Sequence, residues 1–337
     1  MNLTKEILVI TEQVTLEQAK ILKELIADGR QNNCAIAKKT GLPKEVVKKN
    51  IEKLEKNGVI TGATIHINYK SFGYKAVAHI LISVDSQQID QLTEYLQKKP
   101  EVYYFYSRGV KGNIDIVATL KKLEQLNDIK DNIKRHFSLL EMRTAIWTDV
   151  KEMNDNLSIS SDIGKNVLRT IDYMRKPLKK SNPKTMNIDE IDQKIADRLS
   201  ENGRMSMETL GKEIGISTDT ARRRYEKLKK NGVLKVTIQV NPVKIGYKAL
   251  CIFFTETSNE NSFVIIEKIS NIPDVISIMK TTGDYDLQIY AMVKDIDQLL
   301  FIQDEIGKIS GIIRIDMEVI AFREEKWPSP RQYISTF

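Results

Sequence analysis

Apolar residues recur at helical spacing in two stretches of this chain, and both stripes end alike. Ala221, Tyr225 and Leu228 stand at i, i+4 and i+7, so they share one helix face that must pack inward. That orientation turns Thr218, Arg222 and Arg223 to the opposite side. Ser217 is a good N-cap, and Asn231-Gly232 closes the helix with residues that tolerate the left-handed conformation. The predicted product is a short capped helix with a packed back and a basic, hydroxyl-bearing front, entered through a turn at Gly215. Such a helix suits a DNA major groove. The plain alternative is a solvated charged face.

The second stretch, 41–60, begins 215 − 41 = 174 residues earlier. Its stripe is Val47, Ile51 and Leu54 in the same register, with Lys48 and Lys49 in the places of Arg222 and Arg223. Pro43 suits a first helical turn, but no hydroxyl N-cap is present. Upstream, Ile21 and Leu25 mark a helix ending at Asp28-Gly29-Arg30, and a further helix spans about 34–39. The same pattern returns with Ile191, Ile195 and Leu199 ending at Asn202-Gly203-Arg204, followed by Met207, Leu210 and Ile214. Residues 15–63 and 187–236 therefore read as two helix-turn-helix units.

Each unit leads into strand-like and helical segments in turn. A short strand at 63–68 precedes a β-branched run at 76–84, a helix at 88–98, strands at 102–107 and 114–120, a helix at 123–136 and a strand at 143–150. That order is β-α-β-β-α-β, the split ferredoxin-like motif. It returns at 250–255, 263–269, 275–281, 287–293, 296–306 and 313–321, after an outgoing strand at 236–240. Gly246-Tyr247-Lys248 echoes Gly73-Tyr74-Lys75. The expected fold class is α+β, a tandem duplication of a winged-type helix-turn-helix plus a ferredoxin-like domain. The domain boundaries follow as 15–63, 64–150, 187–236 and 237–325. Between the halves, 151–186 is polar and reads as a linker with one amphipathic helix at 162–174. A tail, 326–337, with Pro328 and Pro330 reads as an exposed extension.

This pattern, with the run Arg222-Arg223-Arg224, the ending Asn231-Gly232-Val233-Leu234 and the turn Gly283-Asp284-Tyr285-Asp286, resembles the Lrp/AsnC family of bacterial and archaeal regulators. The resemblance covers nearly the whole chain twice and is closer in the second half. Members typically carry one unit of about half this length, so a fused pair departs from the pattern. The resemblance implies double-stranded DNA as partner, with Ser217, Thr218, Arg222, Arg223 and Arg224 facing it in the second unit. In the first unit it implies Lys44, Lys48, Lys49 and Asn50. Arg224 lies beside the stripe, which leaves a phosphate contact open to it. The resemblance also implies homo-oligomers through the ferredoxin-like domains and an amino-acid effector at Gly283, Asp284, Tyr285 and Asp286. For that turn the plain reading is an ordinary hairpin, since Gly-Asp is good turn chemistry. Its counterpart in the first half, Gly112-Asn113-Ile114-Asp115, lacks one acid and the aromatic, which weakens the expectation of an effector there.

Arginine can fork onto guanine, whereas lysine acts as a point charge. The second unit is thus expected to read bases and the first to add backbone affinity. Whether the two units pair within one chain or like with like between chains is left open by the sequence.

Composition adjusts this picture only slightly. The formal charge of +7 in 337 residues is compatible with a polyanionic partner without requiring one. The two cysteines, Cys34 and Cys251, sit in apolar surroundings and suggest core packing rather than a disulfide framework. No signal-peptide layout and no long apolar run are present, so a cytoplasmic location and no membrane partner are expected. His66, His79 and His136 lack metal or triad spacing, and no phosphate-binding glycine loop occurs. No catalysis, metal or cofactor is expected. One enzymatic rival shares the architecture, namely sirohaem decarboxylases, which look like paired Lrp/AsnC units without DNA binding. A DNA-independent amino-acid sensor or assembly module is the third reading.

Overall fold

The computed structural model describes residues 14–99, 102–108, 113–153, 156–159, 188–258, 262–322 and 333–335. Three helices open the chain: α1 (Leu16–Ala27), α2 (Asn33–Thr40) and α3 (Lys44–Lys56). Strand β1 (Ile60–Asn68) leads to β2 (Ala76–Val84), α4 (Ile89–Gln97), β3 (Val102–Arg108), β4 (Asn113–Leu120), α5 (Gln125–His136) and β5 (Leu139–Glu152). The same order then runs through α6 (Glu190–Glu201), α7 (Met207–Ile214), α8 (Thr218–Lys230) and β6 (Leu234–Val240). It continues as β7 (Ala249–Thr257), α9 (Ser262–Ile269), β8 (Val275–Thr282), β9 (Leu287–Val293), α10 (Ile296–Gly307) and β10 (Ile312–Ala321). A last strand, β11 (Tyr333–Ser335), lies near the C-terminus.

Each ferredoxin-like half has its strands in split order, β5-β2-β4-β3 and β10-β7-β9-β8, and β5 pairs antiparallel with β8 to join them. Strand side chains alternate between faces. One face of the first half buries Ile80, Ile82 and Ile116 against Leu92, Leu96 and Ile133 of its helices. The second half does the same with Phe253 and Ile289 against Ile269, Ile302 and Ile306. The opposite faces, through Val77, Val117, Trp147, Ile252, Met279 and Tyr290, belong to one core shared with both helix-turn-helix units. Trp147 is fully buried in it and donates from Nε1 to Gln288 Oε1 at 3.0 Å.

The ends of the first half differ from the sequence expectation. Strand β5 continues to Glu152, and Met153, Leu157 and Ile159 are buried, so the segment after residue 150 starts as part of the fold. Asp274 explains this docking. Its buried carboxylate accepts the Tyr247 hydroxyl, the Gln298 amide and, at 2.6 Å, the Ser158 amide. A linker read only by its polarity hides three apolar anchors. The helix expected at 162–174 lies outside the described residues. The tail is also corrected, because β11 pairs in parallel with β1, Ile67 opposite Ile334. Three residues are too few for a strand pattern to register in the sequence.

Strands β1 and β6 pair with each other, antiparallel, with Thr64 opposite Thr237. Around that pair the contacts are reciprocal. Thr64 Oγ1 donates to the Ser200 carbonyl at 2.9 Å, and Thr237 Oγ1 donates to the Ile26 carbonyl at 2.8 Å. The Gly29 amide donates to Val236 and the Gly203 amide to Ala63, each at 2.8 Å. Arg30 Nε reaches the Gly203 carbonyl at 2.9 Å while Arg204 Nε reaches Gly29 at 2.8 Å. The two helix-turn-helix units are thus clasped within one chain about a local two-fold. The clasp requires glycine twice. A Cβ on Gly203 would stand 2.7 Å from the Thr64 carbonyl oxygen, and one on Gly29 would stand 2.9 Å from the Thr237 carbonyl carbon.

Candidate nucleic-acid interface and effector turn

Helix α8 is built as a presenting element. Ala221, Tyr225 and Leu228 are buried, which fixes its rotation. Ser217 Oγ accepts from the Thr220 amide at 3.2 Å, so its hydroxyl serves as the N-cap. Arg222 and Arg223 are exposed on the front, and Arg222 Nη1 lies 3.3 Å from the exposed carboxylate of Asp219. Thr218 is half-buried. Gly215 has φ +77°, the left-handed conformation that the turn before this helix needs.

Arg224 is placed otherwise than the resemblance implies. Its guanidinium turns back onto the start of α6, 2.6 Å from Asp189 Oδ2 and 2.9 Å from Asp192 Oδ1. Those hydrogen bonds hold the Arg224 pKa above its ordinary value, while the Asp192 amide and then the Arg224 guanidinium hold Asp189 below the usual carboxylate range. This arginine locks α8 against α6 rather than standing on the front face.

Helix α3 repeats the presentation with different chemistry. Val47 and Leu54 are buried, Ile51 is half-buried, and Lys44, Lys48 and Lys49 are exposed. Lys48 lies 4.0 Å from Glu52. Pro43 makes no side-chain cap. Asn50 spends its amide on its own helix, donating to the Val46 carbonyl at 3.0 Å. The structure therefore brings Arg222 and Arg223 together on one front and Lys44, Lys48 and Lys49 on the other. The clasp links the helix ends, with Arg204 3.0 Å from Glu55 of α3 and Lys229 of α8 2.8 Å from Asp28. Arg30 stacks over the Tyr225 ring at 5.2 Å. Asp28-Gly29-Arg30 and Asn202-Gly203-Arg204 end their helices and also form this shared contact, and their repetition at one spacing is the signal of it in the sequence.

The turn at Gly283 is a hairpin with committed side chains. Gly283 has φ +120°, which disfavours other residues. Asp286 Oδ2 accepts the Thr257 amide at 2.7 Å and its hydroxyl at 3.0 Å, tying the hairpin to the end of β7. Tyr285 donates to Asp316 Oδ2 at 2.5 Å, which raises its pKa, and its ring lies beneath Arg314 at 4.9 Å. Asp284 is exposed. Arg314 and Asp316, two residues apart on β10 and so on one face, were not singled out from the sequence.

In the first half Gly112 lies outside the described residues, and the strand register changes the counterpart of Asp286. Lys75 donates to Leu120 as Lys248 does to Val293. From those anchors 120 − 113 = 293 − 286, so Asn113 occupies the place of Asp286. Asp115 takes the place of Gln288. Asp115 is fully buried and 2.6 Å from His79 Nε2, whose ring stacks on Trp147 at 5.4 Å. It belongs to the core between the sheets. Matching the two turns on Gly and Asp therefore sets them two residues out of register.

Comparison with known proteins sets these features in a family. A model of the AsnC-type helix-turn-helix domain matches residues 188–229, one of winged helix-turn-helix DNA-binding domains matches 18–61, and one of the Lrp/AsnC ligand binding domain matches 251–326. The HTH-type transcriptional regulator LrpA of Pyrococcus abyssi is 31% identical over 138 residues, covering 40% of this chain and 98% of that protein. The chain belongs to the Lrp/AsnC family. A second Lrp/AsnC-type relative, the HTH-type transcriptional regulator FL11 of Pyrococcus furiosus, is 29% identical over 126 residues, 37% of this chain and 83% of that protein. Across nearly the full length, the fold is that of the siroheme decarboxylase NirDL, with TM-score 0.57 and 15% identity, covering 94% of this chain and 93% of that one. No helix among the described residues is long and apolar enough to cross a membrane.

Proposed function

We propose that this Lrp/AsnC protein is a sequence-specific DNA-binding transcriptional regulator. The observation that carries the reading is the front of α8. Arg222 and Arg223 stand exposed on a helix whose back is buried and whose N-terminus is capped, and this helix follows an AsnC-type turn. Such a face can enter a major groove and fork onto guanine O6 and N7. Its relatives LrpA and FL11 carry the name of transcriptional regulators. The protein is read as working in the cytoplasm. Oligomers through the ferredoxin-like domains agree with β10, which ends its sheet among the described residues and exposes Ile313, Met317 and Val319.

For an amino-acid effector the fitting group at the hairpin is Asp284, because Asp286 is already engaged by Thr257. Tyr285 beside it would offer an aromatic face, whereas Arg314 is itself paired with Asp316 at 3.2 Å and Glu256 at 3.7 Å.

The test is binding to genomic fragments, the protein's own promoter included, across a salt series. A sequence-preferring complex is expected whose log K falls linearly with log salt, at about 0.9 per phosphate contact. Arg222→Ala is expected to cost about 1–3 kcal/mol of discrimination. No binding at low salt would sink the reading and turn attention to sirohaem, since a decarboxylase shares this fold over 93% of its length.

A further inference from the structure

We infer that a single copy of this chain is a complete two-headed DNA reader and that its full site is not a palindrome. This rests on the DNA-binding reading above. In a symmetric homodimer, two identical recognition helices meet two identical half-sites about one helical turn apart, so palindromy mirrors the two-fold axis. Here the two-fold is local. The helices belong to one polypeptide, and β1 pairs with β6 inside it. The reciprocal bonds of Arg30 and Arg204, and the threonine pair at the axis, occupy both sides of that interface.

The frame is symmetric, but what it presents is not. Position by position, Arg222 stands where Lys48 stands and Arg223 where Lys49 stands. The remaining differences do not restore equivalence, because Arg224 is spent on Asp189 and Asp192 and Asn50 on Val46. A guanidinium has the fixed fork that matches a guanine edge, whereas an ammonium is a mobile point charge suited to phosphate. The α8 half of the site therefore carries guanine at defined positions, and the α3 half is held through its backbone. The bound chain then has a direction on the duplex, set by which half contains the guanines.

The experiment is selection from a random-sequence duplex library with the full chain, followed by the mass of the complex formed on the enriched duplex. The expected motif has two unequal halves about one turn apart, guanine-rich on one side only, with one chain per site. Arg222→Lys with Arg223→Lys, checked by circular dichroism for an intact fold, should lower the guanine preference roughly 5- to 150-fold. The same change should leave the salt slope in place. Lys48→Arg with Lys49→Arg should bring guanine preference into the second half. A palindromic motif, or two chains on one site with both halves losing preference together in the Arg222→Lys, Arg223→Lys variant, would overturn the inference. Tight binding without any enriched sequence overturns it too. Absence of binding at low salt instead removes the DNA-binding reading, and the inference falls with it.

Discussion

The two helix-turn-helix units share a frame and differ in how each recognition helix is fastened. In the second unit, Arg224 of α8 bonds two carboxylates at the start of α6, Asp189 and the buried Asp192. In the first unit, the positions matching those acids are Thr15 and Gln18, which close a neutral capping box on α1, and Asn50 bonds only to its own helix. The unit with the arginine front thus also carries the charged lock. A base-reading helix needs a fixed orientation, since hydrogen bonds weaken steeply away from their preferred distance and angle. A phosphate-contacting lysine face tolerates more play. The difference in fastening agrees with the difference in fronts.

The comparison breaks most severely where the units are still alike. Gly203→Ala puts a Cβ 2.7 Å from the Thr64 carbonyl oxygen, and Gly29→Ala puts one 2.9 Å from the Thr237 backbone. Neither neighbour is the movable end of a side chain. Each substitution is expected to cost about 3 kcal/mol, the upper end of ordinary overpacking, measured by denaturant unfolding. If the clasp is reciprocal the two costs should be close. A large loss for one glycine and none for the other would show that only one half of the clasp stabilises the pairing.

The next effect separates the units. Arg224→Ala leaves the buried Asp192 carboxylate without its guanidinium, and removing one partner of a buried polar group costs about 1–3 kcal/mol. Asn50→Ala removes a bond that the helix backbone can replace with water, so its cost should stay below about 0.5 kcal/mol. Equal costs for the two substitutions would remove the distinction in fastening.

Much of this was legible in the sequence because periodicity and caps are local. The stripes Ala221, Tyr225, Leu228 and Val47, Ile51, Leu54, the cap at Ser217 and the repeated strand order could be read directly. The partners of exposed-looking charges could not. Arg224 meets Asp189, 35 positions away, and Arg30 meets Gly203 and Met205, over 170 away, and only the folded chain brings them together. The candidate effector turn shows the same limit. Its own residues stood out, while Arg314 and Asp316 came from a strand with ordinary alternation. The hairpin of the first half was aligned two residues out of register, because the hydrogen-bond ladder, not the Gly-Asp pattern, fixes equivalence.

The smallest expected effect is the sharpest test of the charged lock, because only one unit should respond to acid. Asp189 is held below its ordinary pKa of 3.8 by the Asp192 amide and then by Arg224. A carboxylate whose folded pKa is depressed contributes stability that is complete above its unfolded pKa and disappears as pH falls through the lower folded value. The window therefore opens just below pH 4 and extends downward. Asp189 is largely exposed, so solvent and salt screen the contribution and it should be small. The Thr15 and Gln18 box contains no titrating group and should not change over the same range. Amide exchange in α6 and α1, compared between about pH 5 and pH 3 after correction for intrinsic rates, should show α6 losing protection and α1 keeping it. Arg224→Gln should reduce that response to the smaller part due to the Asp192 amide. Parallel loss in both helices would instead mean that acid opens the clasp as a whole, through carboxylates that bridge the units such as Glu55 and Asp28, and that the two fastenings fail as one.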